Sequence, residues 1–193
     1  MIKNTVRPSE KIVRTSKNPA IAPPVLNIPF EATNSSEINI RGFGSPGSKV
    51  KIFVDDQEKS EVKVSENGSF KTPNLTLSLG INNIYGTTID GKGNESLASK
   101  TLRLSYIFEK PGLTVDTPED NKTIQGGDKK VQVSGKTAPG VKVLINDSQV
   151  IVDKEGRFKS ELLINDGDNS VIIKALDVAG NFTELQRRVV YLP

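Results

Sequence analysis

The sequence predicts an all-β protein: two antiparallel β-sandwiches in tandem, preceded by a disordered basic tail. Short stretches alternate apolar and polar residues with a period of two, as Val131 and Val133 do against Lys130, Gln132 and Ser134. Turn sequences such as Pro-Gly, Glu-Gly, Asp-Gly and Ala-Gly-Asn interrupt these stretches about every ten residues. We find no convincing amphipathic helix. Together these patterns favour sandwiches over parallel βαβ units.

A duplication is the strongest signal in the chain. Gly42 to Ile52 aligns with Gly135 to Ile145, and further matched motifs follow in the same order. These are Gly68-Ser69-Phe70 with Gly156-Arg157-Phe158, Gly80-Ile81-Asn82 with Gly167-Asp168-Asn169, Asp90-Gly91-Lys92-Gly93-Asn94 with Asp177-Val178-Ala179-Gly180-Asn181, and Tyr106 with Tyr191. Preserved order with small changes of spacing at turns is typical of a duplicated β-domain.

Several turns have a local cause that the residues themselves supply. Pro46-Gly47 and Pro139-Gly140 predict type II turns, because proline fixes φ at the first central position and glycine accepts a positive φ at the second. Asn67-Gly68 predicts the left-handed geometry of a tight hairpin. Asp90 and Asp177 follow strands, where a carboxylate either caps the next turn or joins a calcium site; the sparse neighbouring carboxylates favour capping.

The motif order resembles that of bacterial immunoglobulin-like domains, with the glucodextranase-type accessory domain as the nearest variant. The residues that carry the resemblance are Gly-x-Thr-x-Pro-Gly, x-Gly-x-Phe, Gly-x-Asn and Asp-x-Ala-Gly-Asn. The first repeat departs from the pattern at Gly44 and Lys92. The resemblance implies two immunoglobulin-like β-sandwiches, which we expect over residues 23–108 and 111–193. It implies a fold and no particular activity.

Residues 1–22 form the basic tail, which we expect to be a disordered stem. It holds five basic residues and only Glu10 as an acid, whereas the whole chain has a net charge of +3. We expect an upstream transmembrane segment, absent from this sequence, to anchor the protein at the cell surface; the alternative is a cytosolic protein that starts at Met1. The body lacks the clustered cations and stacking rings of a nucleic-acid site, so we expect no nucleic-acid partner.

The composition excludes several kinds of active site. The chain contains no histidine, cysteine or tryptophan, which removes Ser-His-Asp and Cys-His catalysis, thiolate chemistry and the usual zinc sites. Carboxylates are scattered over predicted turns such as Asp55-Asp56 and Asp166-Gly167-Asp168 rather than paired across a cleft. We therefore assign no catalytic, cofactor or metal-binding residues and expect no enzyme.

Three aromatic rings are candidate ligand contacts. Phe70 and Phe158 occupy equivalent positions and are expected in the core, and Tyr106 and Tyr191 are expected to be structural. Phe43, Tyr85 and Phe182 remain as rings that a ligand could reach, although packing is the common fate of aromatics.

Two functional hypotheses remain. The first is a non-catalytic cell-surface or secreted module that acts as spacer, stalk or adhesin, with an unidentified protein or cell-surface glycan as partner. The second is a pair of carbohydrate-binding accessory domains attached to a secreted glycoside-active enzyme.

Overall fold

The computed structural model describes residues 17–193, and all regular secondary structure there is β-strand. The strands of the first repeat are β1 (Val25–Asn27), β2 (Ala32–Thr33), β3 (Glu37–Ile38), β4 (Arg41–Phe43), β5 (Lys49–Val54), β6 (Gln57–Lys63), β7 (Ser69–Lys71), β8 (Leu75–Thr76), β9 (Gly80–Ile89) and β10 (Leu102–Tyr106). Those of the second repeat are β11 (Leu113–Thr117), β12 (Lys122–Gln125), β13 (Lys130–Thr137), β14 (Lys142–Ile145), β15 (Ser148–Val150), β16 (Arg157–Leu163), β17 (Gly167–Leu176) and β18 (Phe182–Leu192).

The two repeats have the same strand order. The first contains a three-stranded sheet, β1-β4-β7, and a five-stranded sheet, β2-β10-β9-β5-β6. The second contains β11-β13-β16 and β12-β18-β17-β14-β15, and the first repeat adds the small sheet β3-β8. The predicted fold class and the duplication are therefore confirmed.

Each repeat departs from a purely antiparallel arrangement where its first segment joins the five-stranded sheet. The segment that begins the repeat contributes first to the three-stranded sheet, as β1 or β11, and then to the five-stranded sheet, as β2 or β12. There β2 pairs in parallel with β10, and β12 pairs in parallel with β18. The period-two pattern marks strands but carries no information on their direction, so this pairing was not expected.

Grouping by spatial proximity also divides the chain into two compact units. The second of them takes in Pro29–Ile38 and Thr76–Asn82 together with Arg103–Pro193. The boundaries at residues 108 and 111 stay a prediction.

The core of each repeat follows from the alternation along its strands. In β5, Val50, Ile52 and Val54 are buried while Lys49 is exposed. The core of the second repeat consists of Val131, Val133, Val143, Ile145, Phe158, Ile164, Val171, Ile173, Val189 and Tyr191. Phe70 and Phe158 are both buried, as predicted.

A glycine and a phenylalanine pack against each other in each three-stranded sheet. Gly42 pairs with Phe70 across β4 and β7, and Gly135 pairs with Phe158 across β13 and β16. A Cβ at Gly42 would lie 2.5 Å from Cζ of Phe70, and one at Gly135 would lie 2.6 Å from Cζ of Phe158. The ring thus fills the space that any other side chain would need.

The turn predictions hold at the Pro-Gly sites and need one correction at Asn67-Gly68. Gly47 and Gly140 have φ of +77° and +80°, and Ser48 and Val141 each donate a backbone hydrogen bond three residues back, as type II turns require. Gly68 is left-handed, but Asn67 is not. The Asn67 side chain instead accepts the N–H of Ser69.

The hairpins with two consecutive left-handed residues lie elsewhere. Asp55 and Asp56 connect β5 to β6, and Asn146 and Asp147 connect β14 to β15, all with φ between +44° and +64°. Asn and Asp tolerate this geometry better than other non-glycine residues. The prediction of a polar hairpin tip at Asp55-Asp56 is confirmed.

Asp90 and Asp177 cap equivalent turns. Oδ1 of Asp90 accepts the N–H groups of Lys92 and Asn94, and its Oδ2 accepts Nδ2 of Asn94 at 2.9 Å. Asp177 receives the same set of bonds from Ala179 and Asn181. The capping interpretation is confirmed at both positions.

The tail prediction covers residues 1–22, of which 1–16 lie outside the described residues. Residues 17–22 are not a free stem: Lys17 forms an isolated β-bridge with Glu95, and Asn18 donates its N–H to the carbonyl of Glu95 at 2.7 Å. The Asn18 side chain then accepts the N–H of Ala20. The predicted disordered segment is therefore too long at its C-terminal end. Asn18 has the backbone N–H that proline lacks, and its side chain stabilises the turn that follows.

We expect Gly135→Ala to lower the free energy of unfolding by about 1–3 kcal/mol, the usual cost of overpacking. The added methyl group meets the Phe158 ring and the carbonyl oxygen of Thr114. Urea unfolding of the full chain measures the change. Gly112→Ala is the matched control, since a Cβ there meets nothing within 4 Å; an equal loss in both variants contradicts the prediction.

We expect Asp90→Ala to destabilise the protein at pH 7 and to cost progressively less in acid. Hydrogen bonds from the Asn94 side chain, and then from the N–H of Asn94, lower the pKa of Asp90 below its ordinary 3.8. A lowered folded-state pKa gives stability that is present above 3.8 and is lost as the pH falls through the lowered value. Urea midpoints at pH 7 and pH 3 measure the difference, and Asn94→Ala should remove the part of it that comes from the side-chain bond, since the backbone N–H donors remain. An unchanged gap between wild type and Asp90→Ala would contradict the assignment.

Candidate functional site

Phe43 is the most exposed of the three candidate rings. It ends β4 with 60% of its surface accessible, because Gly42 faces the core and its neighbours Arg41 and Phe43 face outward. Val25 lies directly opposite Phe43 on β1 and is 65% exposed. The two side chains form an apolar patch on the outer face of the three-stranded sheet.

The Phe43 groove runs beside this patch. We use the name for an open depression of about 420 Å³ lined by Asn27, Arg41, Phe43, Ser65, Ser69 and Lys71, with Gly42 and Phe70 at its base. Its lining residues include two cations and no carboxylate. Arg41 and Lys71 lie directly opposite each other on β4 and β7, and the ion pairs found among residues 17–193 involve neither.

The second repeat has a depression at the equivalent place. It measures about 580 Å³ and is lined by three cations: Lys136 on β13 lies directly opposite Arg157 on β16, and Lys159 is the counterpart of Lys71. Here, however, Asp116 and Asp153 line the same space. Asp153 accepts the backbone N–H of Arg157 at 2.7 Å, which holds its carboxylate at that end. The two depressions therefore share their position and differ in charge.

Tyr85 is packed rather than open. Its ring stacks on Phe53, its cross-strand partner, with centroids 5.0 Å apart and planes inclined by 10°. Its hydroxyl donates to Oδ1 of Asp56 at 3.1 Å. Burial, and then this hydrogen bond, raise the pKa of Tyr85 above its usual value, so it stays a neutral donor at pH 7.

Two lysine side chains lie over the ring of Phe182. Lys174 Nζ lies 4.0 Å from the ring centroid and Lys110 Nζ lies 5.9 Å from it. A cation over an aromatic face is attracted by the ring quadrupole, so this face is already engaged. The ring retains 43% exposure, and a ligand contact at Phe182 stays a prediction.

The three predicted rings do not form one site. Phe43 lies on the three-stranded sheet of the first repeat, Tyr85 on the five-stranded sheet, and Phe182 in β18 of the second repeat. Only the neighbourhood of Phe43 combines an exposed ring, a depression and unpaired charges. Sequence analysis missed Arg41 and Lys71, since their closeness depends on the pairing of two strands far apart in sequence.

Within residues 17–193, no group of three or more carboxylates comes together as metal ligands do. The carboxylates of the two capped turns, Asp90 and Asp177, accept hydrogen bonds from their own loops. In the described part of the chain no helix is long and apolar enough to cross a bilayer.

Comparison with known proteins gives a family for the second repeat. Residues 111–191 match the model of "Glucodextranase, domain B". This agrees with the resemblance inferred from the Pro-Gly, Gly-x-Asn and Asp-x-Ala-Gly-Asn motifs.

A curated relative and a solved structure extend the likeness over both repeats. The chain is 31% identical over 158 residues to Bacillopeptidase F of Bacillus subtilis, an alignment that covers 78% of this chain and 10% of the relative. The chain thus spans about a tenth of the length of the curated relative it matches. It also resembles the fibronectin(III)-like modules of Clostridium thermocellum CbhA, with a TM-score of 0.62, 17% identity, and coverage of 88% of this chain and 94% of that one.

The structural likeness to the CbhA modules shows the fold alone. It agrees with the shared strand order of the two repeats, and the family model adds the sequence motifs of the second. By these findings residues 111–191 match the glucodextranase domain B family, and the chain has an immunoglobulin-like fold in both repeats.

Proposed function

We propose that this chain is a non-catalytic module of a larger secreted or cell-surface protein, in which the two repeats act as spacer, stalk or adhesin. The observation that carries the proposal is the match to a tenth of a much longer protein. A segment that recurs inside a larger chain is a module of it. The fold is one that serves many roles and carries no chemistry of its own.

The segment between the repeats supports a spacer. Residues 107–112 connect β10 to β11. Three side chains of the second repeat donate hydrogen bonds to backbone carbonyl groups of this segment. Nδ2 of Asn181 donates to Ile107 at 2.8 Å, Oγ1 of Thr183 donates to Pro111 at 2.5 Å, and Oγ1 of Thr137 donates to Gly112 at 2.7 Å. Polar groups of a flexible linker would bond to water instead.

A location outside the cell is part of the proposal. We place the repeats there and assign their anchoring to a transmembrane segment upstream of this sequence. Protease treatment of intact cells that make the full-length protein tests it. Cleavage within the repeats before lysis supports the location, and resistance until lysis contradicts it.

The second candidate function is glycan binding by accessory domains of a secreted glycoside-active enzyme. The exposed ring of Phe43 favours it, since sugar-binding surfaces combine apolar faces with a few polar groups that fix orientation. A spacer alone needs no such surface.

Replacing residues 23–193 in the full-length protein with an unrelated pair of β-sandwiches distinguishes the spacer from the adhesin. A spacer supplies distance only, so we expect the exchanged protein to keep the activity and surface display of the remaining chain, while deletion of the segment reduces them. Activity assays and antibody labelling of whole cells measure the outcome. Loss of cell adhesion after exchange, with display intact, would identify an adhesin instead.

We expect Thr183→Val to speed amide hydrogen exchange in residues 107–112 by several-fold, up to about tenfold, because one hydrogen bond contributes about 0.5–1.5 kcal/mol. The change keeps the shape of the side chain and removes the donor to Pro111. Exchange followed by mass spectrometry on the full chain measures it. Ser148→Ala, on an exposed strand of the same repeat, is the control; equal rates in wild type and Thr183→Val would count against a held linker.

A further inference from the structure

We propose that the Phe43 groove binds an acidic residue of an anionic polysaccharide, a sugar that bears a carboxylate or a phosphate. The inference rests on the second candidate function, glycan binding, and names its site and ligand class. It is independent of the spacer role.

The charge of the groove carries the proposal. Arg41 and Lys71 are directly opposed across β4 and β7, an arrangement in which like charges repel and destabilise the sheet. Both side chains are exposed, and the groove they line contains no carboxylate. An anion between them would satisfy both cations, and the guanidinium of Arg41 offers the paired donors that match a carboxylate or a phosphate.

The apolar patch beside the cations selects for a sugar. Phe43 and Val25 lie opposite each other, one residue beyond Gly42, and both are exposed. Such a patch covers the C–H face of a pyranose ring, while Asn27 and Ser65 in the lining offer hydrogen bonds to hydroxyl groups. A simple anion would leave the patch in water.

The equivalent depression of the second repeat lacks the features that would select an acidic sugar. The residues equivalent to Arg41 and Lys71 are Ser134 and Lys159, so one of the two opposed cations is missing, and Asp116 and Asp153 line the same depression. Lys136 moreover occupies the position of Phe43, because it follows the core glycine of its strand. Repeat two therefore has carboxylates that compete with an anionic ligand and lacks the ring.

The test measures binding of the full chain to four probes by titration calorimetry: a galacturonate oligomer, a phosphorylated dextran, neutral dextran and poly-glutamate. We expect binding to the galacturonate oligomer or to the phosphorylated dextran, and the stronger of the two identifies the acidic group. Affinity should fall steeply with added salt. Neutral dextran and poly-glutamate should bind at least about tenfold more weakly, since each lacks one of the two recognised features.

Variants locate the site. Arg41→Gln, Lys71→Gln and Phe43→Ala should each weaken binding by about tenfold or more, whereas Lys136→Gln in the second repeat should leave it unchanged. Arg41→Gln should not lower the melting temperature, because it removes a repulsion rather than a stabilising contact. That readout separates a ligand contact from a structural role.

Each remaining outcome overturns the inference. If neutral dextran binds as tightly as the acidic probes, glycan binding is supported but the charged site is ruled out. Equal binding of poly-glutamate would show attraction of any acidic polymer, an acidic protein included. Loss of affinity in Lys136→Gln but not in Arg41→Gln would move the site to the second repeat. Absence of binding to all four probes would reject both this inference and the second candidate function, and leave the spacer role to its own test.

Discussion

The packing of a phenylalanine ring against a glycine sets the register of each three-stranded sheet. Side chains alternate between faces with a period of two, so a shift by one residue exchanges the inner and outer sets. At Gly42 and Gly135 only a residue without a Cβ leaves room for Phe70 and Phe158. The core contact therefore determines which side chains meet on the opposite face. It places Arg41 against Lys71 in the first repeat and, at the corresponding positions of the second, Ser134 against Lys159.

The other motifs shared by the repeats are loops whose side chains replace backbone hydrogen bonds. Asn82 accepts the N–H of Ser78 and donates to the carbonyls of Ser78 and Gly80. Asn169 makes the corresponding bonds to Asn165 and Gly167. Together with the Asp90 and Asp177 caps, these loops satisfy their polar groups internally. Such loops keep their geometry whatever the rest of the surface contacts, which is consistent with a fold reused as a module.

Sequence analysis could predict the parts of the fold that depend on local chemistry. Pro46-Gly47, Asp90 and Asp177 form turns because of bonds and torsions within a few residues. It could not predict that Tyr85 stacks on Phe53, or that Arg41 faces Lys71, since both depend on strand register across a long separation. Asn67-Gly68 shows a local failure. The dipeptide permits two consecutive left-handed residues. The Asn67 side chain instead accepts the N–H of Ser69, and the chain forms a different type of turn.

The parallel pairing within each repeat determines how it carries tension. In the second repeat β12 runs alongside the end of β18, with Lys122, Thr123, Ile124 and Gln125 opposite Val189, Val190, Tyr191 and Leu192. A pull on the two ends of the repeat drags these strands in opposite directions along their length. The evenly spaced bonds of a parallel ladder are then loaded together in shear instead of opening one by one. The first repeat has only Ala32 and Thr33 opposite Ser105 and Tyr106, so its ladder is the weaker of the two under a mechanical load.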